Sequence, residues 1–431
     1  GFRFVKIELE EDNAEVAFKS VIGLLSLPEE KLVGKIETDD ESINKILETA
    51  VYTCTLNMQD GYFLDGIKRD RLVWSGDMYA EIKTALCSFG NTPHTKRSLD
   101  FVKATTPDGF WMNNIPSYDA WWVINVCEYY NYSGDSAYLT KNLNNMNAAI
   151  KELDACIDED GTMDFGKTGR KLGLHKFFLD WPTDGTKDAV TGTALLILYA
   201  ARIFKETAKD AACDEAICSI NRKLQRYISE ETSKKQIAAF QVLCGQPSDR
   251  LKRLLEKGGA SGFSTFMSYF ILKALIVSGS DHTVDYIKEY YGGMIGRGAT
   301  AFWEDFDVSW LDGSGRIDEI PAPDKKDLHA DYGQFCYKGL RHSLCHGWSS
   351  GVLPFFIEEI VGLKILEPGF KKIAVRPKPG GLKYISAKIP TPYGVIEIKT
   401  DTHGVDVRVP EGIEIIKTNG EKNHGKTFIN A

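Results

Sequence analysis

One short segment, residues 63–77, concentrates side chains that can bind and protonate a sugar. It has the sequence FLDGIKRDRLVWSGD, with carboxylates at Asp65, Asp70 and Asp77, two arginines and Trp74. Carboxylates accept hydrogen bonds from hydroxyl groups and can act as general acid or base, and an indole covers the apolar face of a pyranose ring. The ordinary alternative is a surface ion-pair cluster at the start of a helix.

Two later segments repeat this chemistry. Glu304 ends the Gly-containing stretch GATAFWE (residues 298–304), where an indole neighbour can raise its pKa toward the range of a general base. His346 and Trp348 follow in the sequence HGW. A surface glutamate and a helix-capping histidine are the ordinary alternatives, but the repetition favours a sugar-binding pocket.

The tryptophans add a third indication. All eight lie between positions 74 and 348. Most have a carboxylate nearby: Trp74 with Asp77, Trp121 and Trp122 with Asp119, Trp181 with Asp180, Trp303 with Glu304, and Trp310 with Asp312. Burial in a core explains any single one equally well, but the repeated pairing favours a pocket of indoles and carboxylates. We therefore expect Asp119, Trp122, Asp180, Trp181, Trp303 and Trp348 to contact substrate.

The composition of the chain disfavours some classes of binding partner. The 431 residues carry a net charge of −8, and the acidic surface disfavours nucleic acid and anionic membranes. No apolar run approaches the roughly 20 residues that span a bilayer. The expected partner is a carbohydrate. Whether the chain forms a homo-oligomer stays open.

The cysteines and the N-terminus bear on the compartment. Nine cysteines are scattered, odd in number and without a CxxC motif, so we interpret most as small core residues in a reducing compartment. No cofactor or metal site is expected from Cys or His. The chain shows no signal peptide and starts abruptly in strand-like sequence, which indicates a fragment lacking its leader. Cytoplasmic localisation is the resulting hypothesis.

The periodicity predicts a mainly α fold in three parts. Residues 1–33 alternate like strands that belong to, or pair with, a β-sandwich, and residues 362–431 predict an antiparallel β domain. Between them, residues 34–361 show about twelve amphipathic helices, which can close as six hairpins into an (α/α)6 barrel. The helical patterns span about 39–58, 74–90, 93–105, 117–132, 136–157, 188–208, 210–230, 234–244, 248–257, 262–278, 281–292 and 346–361.

These landmarks resemble the bacterial α-L-rhamnosidases of glycoside hydrolase family 78, which are six-hairpin glycosidases. The resemblance covers nearly the whole chain, to about Ile398. Residues 65–77 are similar to the family motif DxPxRDERLGWTGD. The later landmarks are DW (180–181), GATAFWE (298–304), HGWSSG (346–351), LEPGF (366–370) and PTPYG (390–394). The resemblance implies an (α/α)6 catalytic barrel followed by a β-sandwich.

The resemblance also implies roles. Family members invert configuration, and Glu304 matches their catalytic base, whereas Asp65, Trp74, Asp77, Trp181 and His346 match residues that hold the sugar. Aligned from its first aspartate, the motif places Arg71 where the family has its acidic glutamate. Arginine cannot donate a proton near neutral pH.

Other carboxyl groups are therefore considered as the acid. Asp65 and Asp77 are the candidate replacements. Asp70 is less attractive, because its flanking arginines lower its pKa. Arg71 and Asp70 can instead contact the substrate, and Arg71 is suited to an anionic substituent.

Two hypotheses from different classes follow. The first is a hydrolase that uses water to remove a terminal α-L-rhamnose, or a related deoxyhexose or uronic sugar, from a glycan. The second is a carbohydrate-binding pseudoenzyme in which Arg71 has displaced the acid. A helical-barrel lyase or phosphorylase fits less well, since the sequence has no recognisable uronate-lyase pair or phosphate cluster.

Overall fold

A computed structural model describes residues 3–10, 15–68, 70–332 and 339–416. Twelve α-helices are present among them, in the order that the periodicity predicted. They are α1 Glu41–Asn57, α2 Met78–Ser88, α3 Pro93–Thr105, α4 Pro116–Ser133, α5 Ser136–Ala155, α6 Lys187–Ala208, α7 Asp214–Leu224, α8 Lys235–Cys244, α9 Asp249–Glu256, α10 Ser268–Val277, α11 Thr283–Gly296 and α12 Val352–Phe355. The predicted helix at 346–361 is a composite: a 3-10 turn at Gly347–Gly351, α12 and a π turn at Phe356–Ile360.

Local sequence explains where several helices begin and end. The side chain of Asp40 accepts hydrogen bonds from the backbone of Ser42 and Ile43 and so caps α1. Helix α4 has Pro116 in its first turn, where the missing N–H costs nothing, and ends at Gly134 in the left-handed conformation.

The helices form two concentric rings. Helices α2, α4, α6, α8, α10 and α12 are buried on nearly every side, whereas the odd-numbered helices bury one face. Each inner helix packs on the next, and α12 packs on α2, which closes the ring. The predicted (α/α)6 barrel is confirmed. In the hairpins, the inner helices start at the same end of the barrel.

The C-terminal unit contains two small sheets. In the first, β1 (Lys35–Thr38) lies beside β6 (Tyr384–Thr391), followed by β7 (Gly394–Asp401) and β8 (Gly404–Arg408), all antiparallel. In the second, β4 (Leu363–Glu367) pairs antiparallel with β5 (Lys372–Val375), whereas β9 (Glu414–Ile415) joins β5 in parallel. The unit is thus antiparallel except for one pair. A hairpin of β2 (Met58–Gln59) and β3 (Tyr62–Phe63) precedes the site loop.

Within the described part of residues 1–33, the predicted strands are not formed. The described residues 3–10 and 15–34 contain no strand, and side chains such as Phe4, Ile7 and Leu24 are exposed. Alternation of apolar residues becomes a strand only where another strand pairs with it. The single flanking strand before the barrel is β1. The division at residues 34–361 and 362–431 remains a proposal, and residues 417–431 lie outside the described part.

Most cysteines of the described residues lie in the core. Eight cysteines in the described residues are free thiols, and six of them are buried, which agrees with their interpretation as small core residues. Cys336 lies outside the described residues. None of the described helices combines the length and apolar character needed to cross a membrane.

Candidate active site

Backbone hydrogen bonds join three distant segments at the barrel end where the inner helices begin. The amide of Gly347 donates to the carbonyl of Asp65 at 2.8 Å, and the amide of Glu304 donates to the carbonyl of Ser343 at 2.9 Å. Gly66 forms an isolated β-bridge with His346. These contacts align residues up to 282 positions apart in sequence around one cavity.

The cavity has a volume of about 90 Å³ and two chemically different sides. Eight predicted site residues border it, namely Asp65, Asp70, Trp74, Asp77, Trp181, Glu304, His346 and Trp348. Ile115, Tyr118, His175 and Phe178 complete the lining. The predicted convergence of the carboxylates and His346 on one pocket is therefore confirmed, whereas their roles stay predictions.

The first side of the cavity carries closely coupled charges. His346 Nε2 lies 3.0 Å from Asp77 Oδ2, and both side chains are buried. Burial lowers the pKa of His346, but the carboxylates of Glu304, Asp77 and Asp65 outweigh it and leave this pKa raised. Burial raises the pKa of Asp65 to about 6, against the favourable charge of His346. Asp65 therefore changes protonation near pH 6.

Glu304 is held firmly on this side. Its carbonyl accepts hydrogen bonds from the Trp348 indole at 2.9 Å and the Thr265 hydroxyl at 2.5 Å. Its carboxylate accepts a bond from the amide of Ser343 at 3.2 Å. The residue is only 3% exposed, so its carboxylate is oriented by the protein rather than by water.

The second side of the cavity is an aromatic wall. Trp74 packs edge-on against Tyr118 with ring centroids 5.8 Å apart. Phe178 contacts Tyr118 at 6.2 Å and Trp181 at 5.1 Å. His175 packs on both Phe178 and Trp181. Such a surface accommodates the C–H face or a methyl group of a sugar, while the opposite side binds its hydroxyls.

Two predicted tryptophans do not line the cavity. Trp122 is fully buried in α4 and donates from its indole to the carbonyl of Leu99 at 3.1 Å. Trp303 is also fully buried and packs on Phe306 at 5.5 Å, away from the carboxylate of Glu304. The structure does not support the predicted substrate contact of either residue, because both side chains pack in the core: beside Trp303 only the next residue, Glu304, borders the cavity, and beside Trp122 the preceding Trp121 is buried as well.

Two of the predicted aspartates, Asp119 and Asp180, form hydrogen bonds next to the site without bordering the cavity. Asp119 accepts a hydrogen bond from the amide of Met112 at 2.8 Å, and burial raises its pKa to about 7. Asp180 accepts from the amide of Trp181 at 2.8 Å and from the hydroxyl of Ser264. Neither borders the cavity, so the structure does not support their predicted contact with substrate. Both side chains instead hold the backbone of neighbouring loops.

Asp70 and Arg71 lie in a strained turn, and only Asp70 borders the cavity. Both have left-handed backbone conformations, with φ of 58° and 51°. Such conformations are unfavourable for residues other than glycine and concentrate at functional sites. Asp70 borders the cavity at its exposed side, whereas Arg71 is exposed and is not among the lining residues. The predicted contact of Arg71 with the bound sugar in this cavity is therefore not supported.

The length of the family motif explains why Arg71, rather than Asp70, was first matched to the family's acid. DxPxRDERLGWTGD has fourteen positions, whereas Asp65 to Asp77 spans thirteen residues. Aligned from its end, the motif matches Trp74 and Asp77, and Arg71 then matches the arginine that follows the family's glutamate. The structure does not support placing Arg71 at the family's acid. One residue is missing there, and Asp70 is the carboxylate left at the turn.

Four lining residues were missed by sequence reasoning. Tyr118 and Ile115 flank the start of α4, next to the predicted Asp119, and only the rotation of the helix selects them. His175 and Phe178 lie in an irregular segment just before Asp180. The cluster of aromatic residues in that segment was a usable signal, because loops at the barrel end commonly line a site.

Comparison with known families gives two matches. The model of the bacterial α-L-rhamnosidase six-hairpin glycosidase domain matches residues 31–226. The model of the bacterial α-L-rhamnosidase C-terminal domain matches residues 362–416. No curated protein sequence matches the chain significantly.

Solved structures share the fold. A family 78 rhamnosidase of Bacillus sp. GL1 superposes with a TM-score of 0.72 at 22% identity, over 92% of this chain and 44% of that one. The Aspergillus terreus α-L-rhamnosidase gives 0.69 at 16% identity, covering 90% and 48%. The Streptomyces avermitilis α-L-rhamnosidase, complexed with L-rhamnose, gives 0.66 at 16% identity, covering 90% and 38%. The chain thus spans less than half the length of these three proteins.

The closed ring of helical hairpins and the β unit define the class of six-hairpin glycosidases. With both of its domain models matched, the chain belongs to the bacterial α-L-rhamnosidase family.

Proposed function

We propose that the chain is an inverting glycoside hydrolase that releases a terminal α-L-rhamnose, or a closely related deoxy sugar, from a glycan. The observation that carries this proposal is the two-sided cavity. Carboxylates and His346 face an aromatic wall across a small cavity, and this pairing of a polar with an apolar side suits a terminal sugar that carries hydroxyls and an apolar methyl group. Rhamnose bound to the solved rhamnosidases from Streptomyces avermitilis and Klebsiella oxytoca supports this sugar.

Glu304 is the proposed base. It takes a proton from a water molecule as the water oxygen attacks the anomeric carbon. The buried setting and the bond from Ser343 keep the carboxylate aimed into the cavity. An inverting pair of carboxyl groups stands about 6.5–9.5 Å apart, which leaves room for this water.

Asp70 is the proposed acid. It donates a proton to the glycosidic oxygen as the bond from that oxygen to the anomeric carbon breaks. The remainder of the glycan leaves toward solvent, and Asp70 borders the cavity on its exposed side. Asp65, by contrast, accepts a hydrogen bond from the amide of Leu72 at 2.9 Å, and Asp77 pairs with His346. We assign these two aspartates to holding sugar hydroxyls and the loop.

Leaving-group dependence tests the choice of acid. Activated aryl glycosides need little protonation of the departing oxygen, whereas natural glycosides need much. Asp70→Asn should therefore lower kcat/KM on a rhamnosyl oligosaccharide by about 10²–10⁴-fold while sparing an aryl α-L-rhamnoside. If Asp65→Asn shows this selectivity and Asp70→Asn does not, Asp65 is the acid.

The activity is tested with aryl α-L-rhamnosides and NMR detection of the first sugar released. Inversion of the anomeric centre is expected, and retention would exclude the proposed mechanism. Binding of rhamnose without turnover of any rhamnoside would favour the carbohydrate-binding pseudoenzyme instead. The reason to favour that alternative, an arginine in place of the acid, is removed by the shorter motif.

A further inference from the structure

His175 is a polar residue in the aromatic wall of the cavity, and the proposed mechanism does not use it. Its ring borders the cavity and packs on those of Phe178 and Trp181, with centroids 5.2 and 5.6 Å apart. The His175 side chain is 29% exposed, so the ring reaches the open side of the wall. A histidine in this place can complete the packing of the wall or bind the ligand, and the contacts of its two nitrogens separate these roles.

Asp184 holds one of the two nitrogens. His175 Nδ1 lies 3.3 Å from Asp184 Oδ1 and 3.2 Å from Oδ2. A carboxylate has no proton to donate, so Nδ1 donates, and Nε2 of the neutral imidazole is then an acceptor. Asp184 does not border the cavity, whereas His175 does. Nδ1 is thus turned toward the protein, and Nε2 is the nitrogen left for a ligand.

The backbone holds both members of this pair in place. Asp184 follows the 3-10 turn Trp181–Thr183, and its amide donates to the carbonyl of Trp181 at 3.1 Å. Gly173, two residues before His175, donates from its amide to the carbonyl of Asn114 at 3.1 Å. The imidazole is therefore oriented before a ligand arrives, which lowers the entropic cost of binding.

We propose that His175 binds the terminal sugar by accepting a hydrogen bond at Nε2 from one sugar hydroxyl, and that Asp184 is the positioning residue that orients the imidazole. This deepens the proposed function and rests on it, because it specifies one contact of the same sugar. The rings of the wall pack on the apolar face of the sugar, and Nε2 requires a hydroxyl at the edge of that face. A sugar whose stereochemistry turns this hydroxyl away loses the bond, so His175 contributes to sugar specificity.

The variant His175→Phe tests the contact, because it keeps an aromatic ring in the wall and removes the nitrogen. In calorimetric titration with L-rhamnose, we expect its Kd to exceed the native value by about three- to tenfold, as one hydrogen bond supplies. On an aryl α-L-rhamnoside, KM should rise by a similar factor while kcat changes by less than about twofold, the pattern of a lost binding contact. The same affinity for L-rhamnose in both proteins would overturn the proposal.

A second variant and a set of sugar analogues identify the bond itself. His175→Gln should recover part of the lost affinity, since its amide oxygen can reach the position of Nε2. The 2-, 3- and 4-deoxy analogues of L-rhamnose each remove one hydroxyl. For the hydroxyl bound by Nε2, the losses from deoxygenation and from His175→Phe should not add. Full additivity for all three analogues would show that His175 contacts none of these hydroxyls, and the proposal would fail.

Asp184→Ala tests the positioning role. It should weaken binding of L-rhamnose in the native protein, by less than His175→Phe does, because the imidazole is present but no longer held. Added to His175→Phe, it should have no further effect, since the group that it orients is gone. If Asp184→Ala weakens binding equally in both backgrounds, Asp184 does not act through His175.

A matched control removes a similar histidine elsewhere. His282, just before α11, lies 3.9 Å from Asp285 and packs on Tyr286 with ring centroids 5.9 Å apart. It does not border the cavity. His282→Phe should therefore leave the affinity for L-rhamnose unchanged. If this variant weakens binding as much as His175→Phe does, the effect is not local, and the assignment of His175 fails.

Binding and turnover together separate this proposal from the proposed function. If binding of L-rhamnose depends on His175 but no rhamnoside is cleaved, the hydrolysis is wrong and the contact stands. If aryl rhamnosides are cleaved and His175→Phe has native Kd and KM, the contact is wrong and the hydrolysis stands. A native protein that neither binds L-rhamnose nor cleaves a rhamnoside overturns both.

Discussion

Helix α2 contributes to two buried charged clusters that differ in how their charges are balanced. Asp77, at its start, borders the site cavity with Asp65, and Glu81 is buried one turn further along the helix. Lys83, two residues beyond Glu81, lies in a separate cluster with Glu358. Lys83 is buried and only 14% of the Glu358 side chain is exposed, so the two clusters differ more in charge balance than in burial.

In the Lys83 cluster every charge has a partner. Lys83 Nζ lies 2.8 Å from Glu358 and 3.5 Å from Glu128, and the hydroxyls of Tyr132 and Tyr269 donate to Glu358 at 2.6 and 2.5 Å. Burial opposes both charges, yet the pKa of Lys83 is raised by the carboxylates and that of Glu358 is lowered by the lysines. The cluster stays ionised and is structural.

In the cluster of Asp65, Asp77 and Glu81, the carboxyl groups outnumber their cationic partner. Burial raises the pKa of Asp65, Asp77 and Glu81, and the proximity of these groups adds to the effect. Neither carboxyl oxygen of Glu81 has a hydrogen-bond partner among the described residues. Carboxyl groups whose pKa is perturbed by burial and like charge are typical of functional sites. Charge balance, more than burial, thus separates the Lys83 cluster from the cluster of Asp65, Asp77 and Glu81.

The largest expected effect distinguishes two buried glutamates. Glu304→Gln should lower turnover by about 10²–10⁴-fold, because it removes the proposed proton acceptor, while the unfolding midpoint changes little. Glu358→Gln should do the reverse and lower the midpoint, since it leaves Lys83 buried without its closest counter-charge. Steady-state kinetics and thermal unfolding of both variants measure the contrast. A Glu304→Gln protein with near-native turnover would exclude Glu304 as the base.

The next effect concerns stability alone. Lys83→Met should destabilise the fold by about 3 kcal/mol, the lower end of the range for a broken buried ion pair, because Glu358 keeps only Lys273, at 3.7 Å, as a cation. Adding Glu358→Gln to this variant should restore part of the loss. Denaturant unfolding of the single and double variants, compared at equal pH, provides the measurement. If the double variant is no more stable than Lys83→Met, the two groups are not coupled.

A smaller effect of opposite sign is expected at Asp65. Its folded-state pKa of about 6 exceeds the ordinary 3.8, so the folded state holds the proton more tightly. Stability therefore falls as pH rises from about 4 to about 6. Asp65→Asn should raise the free energy of unfolding by about 2–3 kcal/mol at pH 7.5 and by little at pH 4. Unfolding curves at both pH values test this, and a pH-independent change would contradict it.

The smallest effect is expected at Glu81. Burial, followed by the charges of Asp77 and Asp65, raises its pKa well above the ordinary value, which favours the neutral form of Glu81. We therefore expect Glu81→Gln, which replaces a carboxyl group by a neutral amide of similar shape, to change stability by less than about 1 kcal/mol at pH 7. As pH rises toward the folded-state pKa, the native protein should lose stability relative to the variant. Stabilisation at pH 7 as large as that of Asp65→Asn would indicate an ionised Glu81.

Much of the barrel was predictable from local sequence. The repeat of three to four residues reports which side of a helix is buried, and it located all twelve helices because each contributes to one core. The strand-like pattern before residue 34 failed, since pairing depends on a partner that a local pattern does not contain. Strand β1, which pairs with β6 some 350 positions later, illustrates the same limit.

The site was partly predictable for a different reason. Asp65, Asp77, Glu304 and His346 were recognised by residue type and by resemblance to a family motif. Trp122 and Trp303 were misassigned, because residue type does not tell whether a side chain points toward the cavity or the core. The position of Asp70 at the cavity, with Arg71 outside it, was seen only in the structure.

The sequence by itself determined the secondary structure of the barrel, the carbohydrate chemistry of its key residues and their family, since these follow from residue type and short-range periodicity. Only the tertiary structure decided which side chains share a cavity and which buried carboxyl groups outnumber their cationic partner. Those properties depend on the directions of side chains and on burial, and both are set by packing between segments far apart in the chain.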